Sequence, residues 1–165
     1  MNSDPKAELR LREATGDDLD CLIAMMRKLA AQDPVVPFEV AAVRHAWILF
    51  RAHPDFGKAW LIDVGNQTAG YVILTLGFSF EYHGREAFID ELYLEPKFRG
   101  QGFGTQAMEF VAGRARALGV NAIHLEVDPQ NDAAVSLYRR LDYRDHGRCL
   151  MTKWLKPVAK SSAKS

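Results

Sequence analysis

Cysteine, net charge and long apolar runs are all scarce in this chain, and each shortage removes a class of protein. Cys21 and Cys149 are the only cysteines, far apart and outside any paired spacing. A disulfide framework is thereby excluded, and two such thiols suit a reducing cytosol, where both are expected to be buried small hydrophobes. The five histidines, at 45, 53, 83, 124 and 146, show no metal-ligand spacing, so structural or solvent roles are assigned to them and no metal is expected. Lys and Arg number 21 and are cancelled by 21 Asp and Glu, leaving no positive field to hold nucleic acid or an anionic membrane. The N-terminus, Met-Asn-Ser-Asp-Pro-Lys-Ala-Glu, lacks an apolar signal region, and no apolar run approaches the ~18–20 residues of a membrane span. A cytoplasmic protein is expected.

What is present fits one folded unit. The 165 residues are enough to bury about two thirds of the unfolded surface, and a domain over residues 1–156 is expected. The Ala, Lys and Ser of 157–165 are expected to be a disordered tail. Alternation at Leu9-Arg10-Leu11-Arg12 predicts a strand. Thr15 to Asp18 then offer N-caps for a helix to about Ala31, with Leu19, Leu22, Ile23, Met26 and Leu29 at helical spacing. Pro34 and Pro37 stop that helix, and a second is predicted from about Glu39 to Arg51. Ala59–Val64 and Ala69–Phe80 read as a hairpin, and Ala87–Leu94 as a strand stopped by Pro96. A helix over Thr105–Leu118 closed by Gly119, a strand at Ala122–Val127, a helix over Asn131–Leu141 and a last strand at Cys149–Leu155 complete the α/β pattern around one mixed sheet.

The turn between the fourth of these strand regions, Ala87–Leu94, and its following helix carries the strongest chemical signal. Arg99-Gly100-Gln101-Gly102-Phe103-Gly104-Thr105 places three glycines at alternate positions before a helix. Missing side chains let backbone amides approach a ligand, and a helix N-terminus adds partial positive charge, so phosphate oxygens fit there. Arg99 sits where a charge-assisted contact could be added. A dinucleotide fingerprint needs Gly-x-Gly-x-x-Gly, but the sixth position counted from Gly100 is Thr105. The Gly-Lys-Ser/Thr of a nucleotide P-loop is absent.

These residues resemble the Gcn5-related N-acetyltransferases, whose coenzyme A loop reads Q/R-x-x-G-x-G/A, here Arg99 to Gly104. The helix opening Asn131-Asp132-Ala133-Ala134-Val135-Ser136-Leu137-Tyr138 is similar to the family's N-x-x-A-x-x-L-Y signature, and Asn131 and Tyr138 lie two turns apart along one helix face. The resemblance implies a mixed sheet of six to seven strands with about four flanking helices, and acetyl-coenzyme A as co-substrate. It implies that Gly100, Gln101, Gly102, Phe103, Gly104 and Thr105 bind the pyrophosphate, with Arg99 beside them. It implies that Leu92, Tyr93 and Leu94 offer backbone groups to the pantetheine arm, one amide polarising the thioester carbonyl. Asn131 would contact the pantetheine or the substrate side, and Tyr138 would protonate the departing thiolate.

One further feature concerns the acceptor. Asp90-Glu91 interrupts an apolar strand, and a carboxylate there is costly unless it has a partner or a function. Strand alternation predicts that only one of the two lines a given cleft. Asp90 matches the family position that holds an amine or relays its proton, with Glu91 the second candidate. The first two helices and the loops at 31–38 and 78–86 would set acceptor choice, and Asp33, Phe38, Glu39, Glu81 and Tyr82 there suit a small cationic amine. A protein N-terminus or lysine, a non-catalytic acyl-coenzyme A sensor and an idle interaction domain are the rival readings. An exposed strand edge would permit a homodimer. At the end of the Asn131 helix the family's glycine-aromatic pair is replaced by Asp142-Tyr143, expected to cost a little stability.

Overall fold

A computed structural model describes residues 8–32 and 36–155. β1 (Leu9–Glu13) leads through a 3₁₀ turn at Gly16–Asp18 into α1 (Leu19–Ala30), followed by α2 (Val40–Ala52). Then come β2 (Gly57–Val64), β3 (Gln67–Ser79) and β4 (Gly84–Leu94). A 3₁₀ turn at Pro96–Phe98, α3 (Phe103–Ala117), β5 (Val120–Leu125) and α4 (Asp132–Arg140) follow. The entry to α1 is a capping box: Thr15 N–H donates to the Asp18 carboxylate at 2.7 Å, which Arg12 also grips through two nitrogens at 2.8 and 2.9 Å. These bonds, with Arg12 the largest influence, hold the Asp18 carboxyl well below the usual carboxylate range.

The five strands lie in chain order in one sheet. β1 to β4 are antiparallel neighbours, β1 reaching β2 through α1 and α2 and the next two pairs through short turns, whereas β4 and β5 are parallel and need the α3 crossover between them. Alternation divides the core between the two faces of the sheet. Ala59, Leu61, Tyr71, Ile73 and Tyr93 meet Leu22 and Met25 of α1 and Trp47 of α2. Trp60, Val72, Leu74, Ala87 and Ile89 meet Met108, Val111 and Ala115 of α3 on the other face. Each fully buried aliphatic side chain among these contributes ~1.5–3 kcal/mol relative to exposure.

Three expectations are corrected. Five strands stand among the described residues where six to seven were expected, because Cys149–Leu155 forms no strand: its residues are exposed, with Leu150 71%, Met151 90% and Leu155 89% accessible, and no neighbour supplies a ladder. Cys21 and Cys149 are both exposed rather than buried, Cys21 because it lies on the outer face of α1 and Cys149 because it belongs to that irregular segment. The Asp90-Glu91 alternation also fails, for a reason given below. The 157–165 tail and Asp33 lie outside the described residues. Among the described residues no helix is long and apolar enough to cross a membrane.

Candidate active site

The parallel pairing of β4 with β5 runs from Arg85–Val120 to Ile89–Leu125 and ends there. β4 continues through Leu92, Tyr93 and Leu94, still paired to Val72, Tyr71 and Gly70 of β3 on one side but without a β5 partner on the other. The two strands thus part beyond Ile89, and backbone groups of the last turns of β4 face an opening rather than a ladder.

A β-bulge sits at the mouth of this opening. Ile73 pairs with Glu91 and the next residue, Leu74, pairs with Ile89, so Asp90 is the extra residue. Ile89 packs in the α3-side core, and the inserted residue shifts the phase, so that Glu91 comes out on the α1/α2 face. There Tyr71 Oη donates to Glu91 Oε2 at 2.7 Å. Asp90, stepping away from Ile89, follows to the same face, and its charge is felt by both Glu91 and Tyr71. Both carboxylates therefore lie on one face of the sheet, which the simple two-residue period excludes. Burial pushes the Glu91 carboxyl up, and the Tyr71 bond pulls it partly back while the Asp90 charge raises it again. Crowding by protein raises Asp90 as well, although its side chain still meets water. Tyr71 is held firmly as the phenol, first by burial and then by Glu91.

Tyr138 of α4 packs against the α3-side core together with Leu92 and Leu125, the residues where the strands part. It stacks edge-on with Tyr143 at 5.8 Å, and burial raises its pKa. It therefore flanks the opening from the face opposite Asp90 and Glu91. Asn131 caps α4, its Oδ1 accepting from Ala134 N–H at 3.1 Å. Asp142 takes the left-handed conformation at φ 64° where the family pattern has glycine.

The glycine turn delivers the N-terminus of α3. Gly102 is the N-cap at φ 88°, and Gly100 stands at φ 73°, conformations that an L side chain strains to adopt. Nothing lies within 4 Å of where their Cβ atoms would be, so the space in front of the turn is open. No side chain caps α3 and no acidic residue occupies its first turn, which leaves first-turn amides at Phe103, Gly104 and Thr105 for an anion. A pyrophosphate fits this donor set. Phe103 itself is buried against Val64 and Ala69 and anchors the turn, while Gln101 Nε2 ties back to the Lys97 carbonyl at 2.7 Å. Gly104 permits close approach of α4: a Cβ there would stand 3.3 Å from Leu137. Arg99 Nε donates to the Leu94 carbonyl at 2.7 Å and its guanidinium lies 5.5 Å over the Tyr93 ring, so Arg99 also holds the end of β4.

Of the loop residues read as acceptor-facing, Glu81 is engaged in a two-point ion pair with Arg148, both bonds 2.9 Å, and Phe38 lies beneath Arg27. The Tyr82 ring packs tilted against that of His124, their centroids 4.6 Å apart. Sequence reasoning missed Tyr71, twenty positions before Glu91 and without any local signal, and it set His124 aside.

Comparison with known proteins agrees with this geometry. The acetyltransferase (GNAT) family model matches residues 23–143. The thialysine N-epsilon-acetyltransferase of Mus musculus is 29% identical over 148 residues, covering 84% of this chain and 86% of that protein. The L-methionine sulfoximine/L-methionine sulfone acetyltransferase of Pseudomonas aeruginosa is 24% identical over 143 residues, 84% of this chain and 81% of that one. An integron cassette protein from the mobile metagenome of Cole Harbour Salt Marsh superposes with a TM-score of 0.77 at 32% identity, covering 89% of this chain and 91% of that chain. With its parted β4 and β5, its uncapped glycine turn and a family match over most of its length, the chain belongs to the GNAT family and is an acetyl-coenzyme A-dependent N-acetyltransferase.

Proposed function

We propose that the protein acetylates the primary amine of a small cationic molecule by direct attack on the thioester. The observation that carries this reading is the placement of two groups on opposite sides of the β4/β5 opening, the raised carboxylates Asp90 and Glu91 on one and Tyr138 on the other. Acetyl-coenzyme A supplies the activated acetyl group, its pyrophosphate held by amides from Gly100 to Thr105 and its pantetheine arm by the backbone of Leu92, Tyr93 and Leu94. Asn131 contacts the pantetheine or the substrate side, and Arg99 steadies the junction of strand and turn.

Asp90 attracts the ammonium form of the acceptor and takes its proton, directly or through a water, and Glu91 stands as second acceptor of that proton. The C–N bond forms as the C–S bond breaks. A β4 amide polarises the carbonyl, Tyr138 gives its proton to the departing sulfur, and the second proton, shed by the acylated nitrogen, passes through solvent to restore the Tyr138 phenol. Neither cysteine lies in a motif that would support an acyl-enzyme, which favours direct attack. Relatives named for thialysine and for methionine sulfoximine support a small acceptor with an amino-acid-sized frame.

The test is coenzyme A release against polyamines, amino sugars, amino acids and peptides. Turnover of small amines is expected, and Tyr138→Phe is expected to reduce kcat by ~10²–10⁴ with acetyl-coenzyme A affinity kept. Binding of acetyl-coenzyme A without turnover of any amine would leave a sensor rather than an enzyme. Preference for peptides over every small amine would move the acceptor to proteins.

A further inference from the structure

On the face of the sheet that carries Asp90 and Glu91, the helices α1 and α2 cover Ala59 to Ile73 and leave the rest of β3 and β4 open. A cavity of about 190 Å³ lies there, lined by the stretch 75–77 of β3, the stretch 86–88 of β4 and His124 of β5. The common direction of Thr75, Gly77, Glu86, Phe88 and His124 follows from the sheet itself. Leu74, Leu76, Ala87, Ile89, Ile123 and Leu125 all pack on the α3 side, so the residues between them point to the opposite face.

Three observations give this cavity a chemistry. First, Glu86 and His124 approach to 3.3 Å, and His124 Nε2 is enclosed yet makes no hydrogen bond of good geometry. Second, a Cβ on Gly77 would meet Glu86 Cγ and Oε1, both at 3.3 Å, so the absent side chain is what gives the Glu86 carboxylate its room. Third, no Lys or Arg lines the cavity. The nearby Arg85 turns away to the Asp55 carboxylate and the Leu118 carbonyl. Along β4, Glu86, Phe88 and Asp90 thus present carboxylate, aromatic ring and carboxylate on one face, the ends ~13 Å apart by strand rise.

Resting on the proposed acetyl transfer, we propose that Glu86, beside His124, is the specificity-determining residue for the far end of the acceptor, and that the site selects amines carrying a second protonated nitrogen. The reacting amine lies by Asp90, methylene groups cross the face of Phe88, and the second ammonium donates to Glu86. A monoamine of equal length leaves Glu86 without a ligand partner and loses that charge-assisted bond.

The experiment compares α,ω-diaminoalkanes from ethylenediamine to diaminooctane with the monoamines of the same length. In the wild type the diamine kcat/KM is expected to exceed the monoamine value by about tenfold or more and to rise with chain length until the second nitrogen reaches Glu86. The ratio is expected to fall toward one in Glu86→Gln, through KM more than kcat, and to recover in part in Glu86→Asp. Gly77→Ala, which crowds the same carboxylate from β3, is expected to lower the ratio as well. Calorimetric titration of diaminohexane into the coenzyme A-saturated protein is expected to show about tenfold weaker binding in Glu86→Gln. Equal use of diamines and monoamines by the wild type, or a ratio untouched by Glu86→Gln, overturns the subsite while leaving acetyl transfer standing. Absence of turnover together with weakened diamine binding in Glu86→Gln overturns acetyl transfer and leaves the subsite standing.

Discussion

Asp90 accepts no hydrogen bond from the described residues, and burial alone raises its carboxyl, whereas Asp18 is gripped by Arg12 and Thr15 and driven down. The two carboxylates act on stability with opposite sign. Asp18 contributes stability that is present above its unfolded pKa and lost as pH falls through the lower folded value. Asp90, with a raised folded pKa, contributes stability that is complete below its unfolded value and lost as pH rises through the folded one, so its ionised form at neutral pH is a cost. Asp90→Asn is therefore expected to raise the thermal midpoint at neutral pH and to leave it unchanged near about pH 3, where the wild-type carboxyl is protonated already. In the same variant kcat/KM is expected to fall by ~10²–10⁴ through loss of the proton acceptor. Melting curves at the two pH values, with kinetics on the same samples, check this; a lower midpoint at neutral pH would mean that Asp90 has a structural partner. Of the residues here, the two carboxylates stood out because polar groups interrupt an apolar strand, whereas Tyr138 stood out only through the family signature of its helix. Tyr71 did not, since a tyrosine in a strand reads as core and its bond to Glu91 exists only once β3 and β4 pair.

The elements were read from their periods with errors of a few residues. Gly119 closes α3 at φ 74° as expected, but α3 begins at Phe103 rather than Thr105, because the left-handed Gly102 starts the helix at once. The bulge was illegible: Phe-Ile-Asp-Glu-Leu carries neither glycine nor proline, and only the register against β3 reveals the extra residue. The pattern at Cys149–Leu155 suited a strand, yet a strand needs a partner as well as a pattern, and none adjoins it here. Gly102 belongs to this scale, since its conformation is set by the joint between turn and helix. Gly102→Ala is expected to cost ~1–2 kcal/mol for the left-handed backbone, lowering the midpoint by about 2–8 °C in a chain of this size. It is also expected to raise KM for acetyl-coenzyme A, because the new methyl group stands in the open space before the first-turn amides. Gly113, with no positive φ and nothing within 4 Å of its Cβ, is the matched control. Its replacement by Ala is expected to stabilise α3 slightly and leave that KM alone.

At the scale of the molecule the sheet separates two large cores, one against α1 and α2 and one against α3, beside a smaller cluster of Val64, Ala69 and Phe103. Strand alternation ties them: Trp60, 3% exposed on the α3 side, is flanked by Ala59 and Leu61 on the other, so neither face can open without removing the backbone from its neighbour. The tryptophans happen to report on each core separately, with Trp47, 6% exposed, against α1 and the sheet, Trp60 against Phe110 of α3 at 5.8 Å, and Trp154, 52% exposed, outside both. Trp47→Phe and Trp60→Phe each silence one core probe while Trp154 stays as a common background. If the sheet couples the faces, then in each variant the unfolding midpoint seen by the remaining core tryptophan coincides with that seen by far-ultraviolet circular dichroism. A tryptophan transition that precedes the loss of secondary structure in Trp60→Phe, where Trp47 reports, would show α1 and α2 detaching as a separate unit. That result would matter for the chemistry, because those helices cover part of the face on which Glu91, Asp90 and Glu86 are proposed to meet the acceptor, whereas the α3 face holds Tyr138 and the helix N-terminus proposed to take the pyrophosphate.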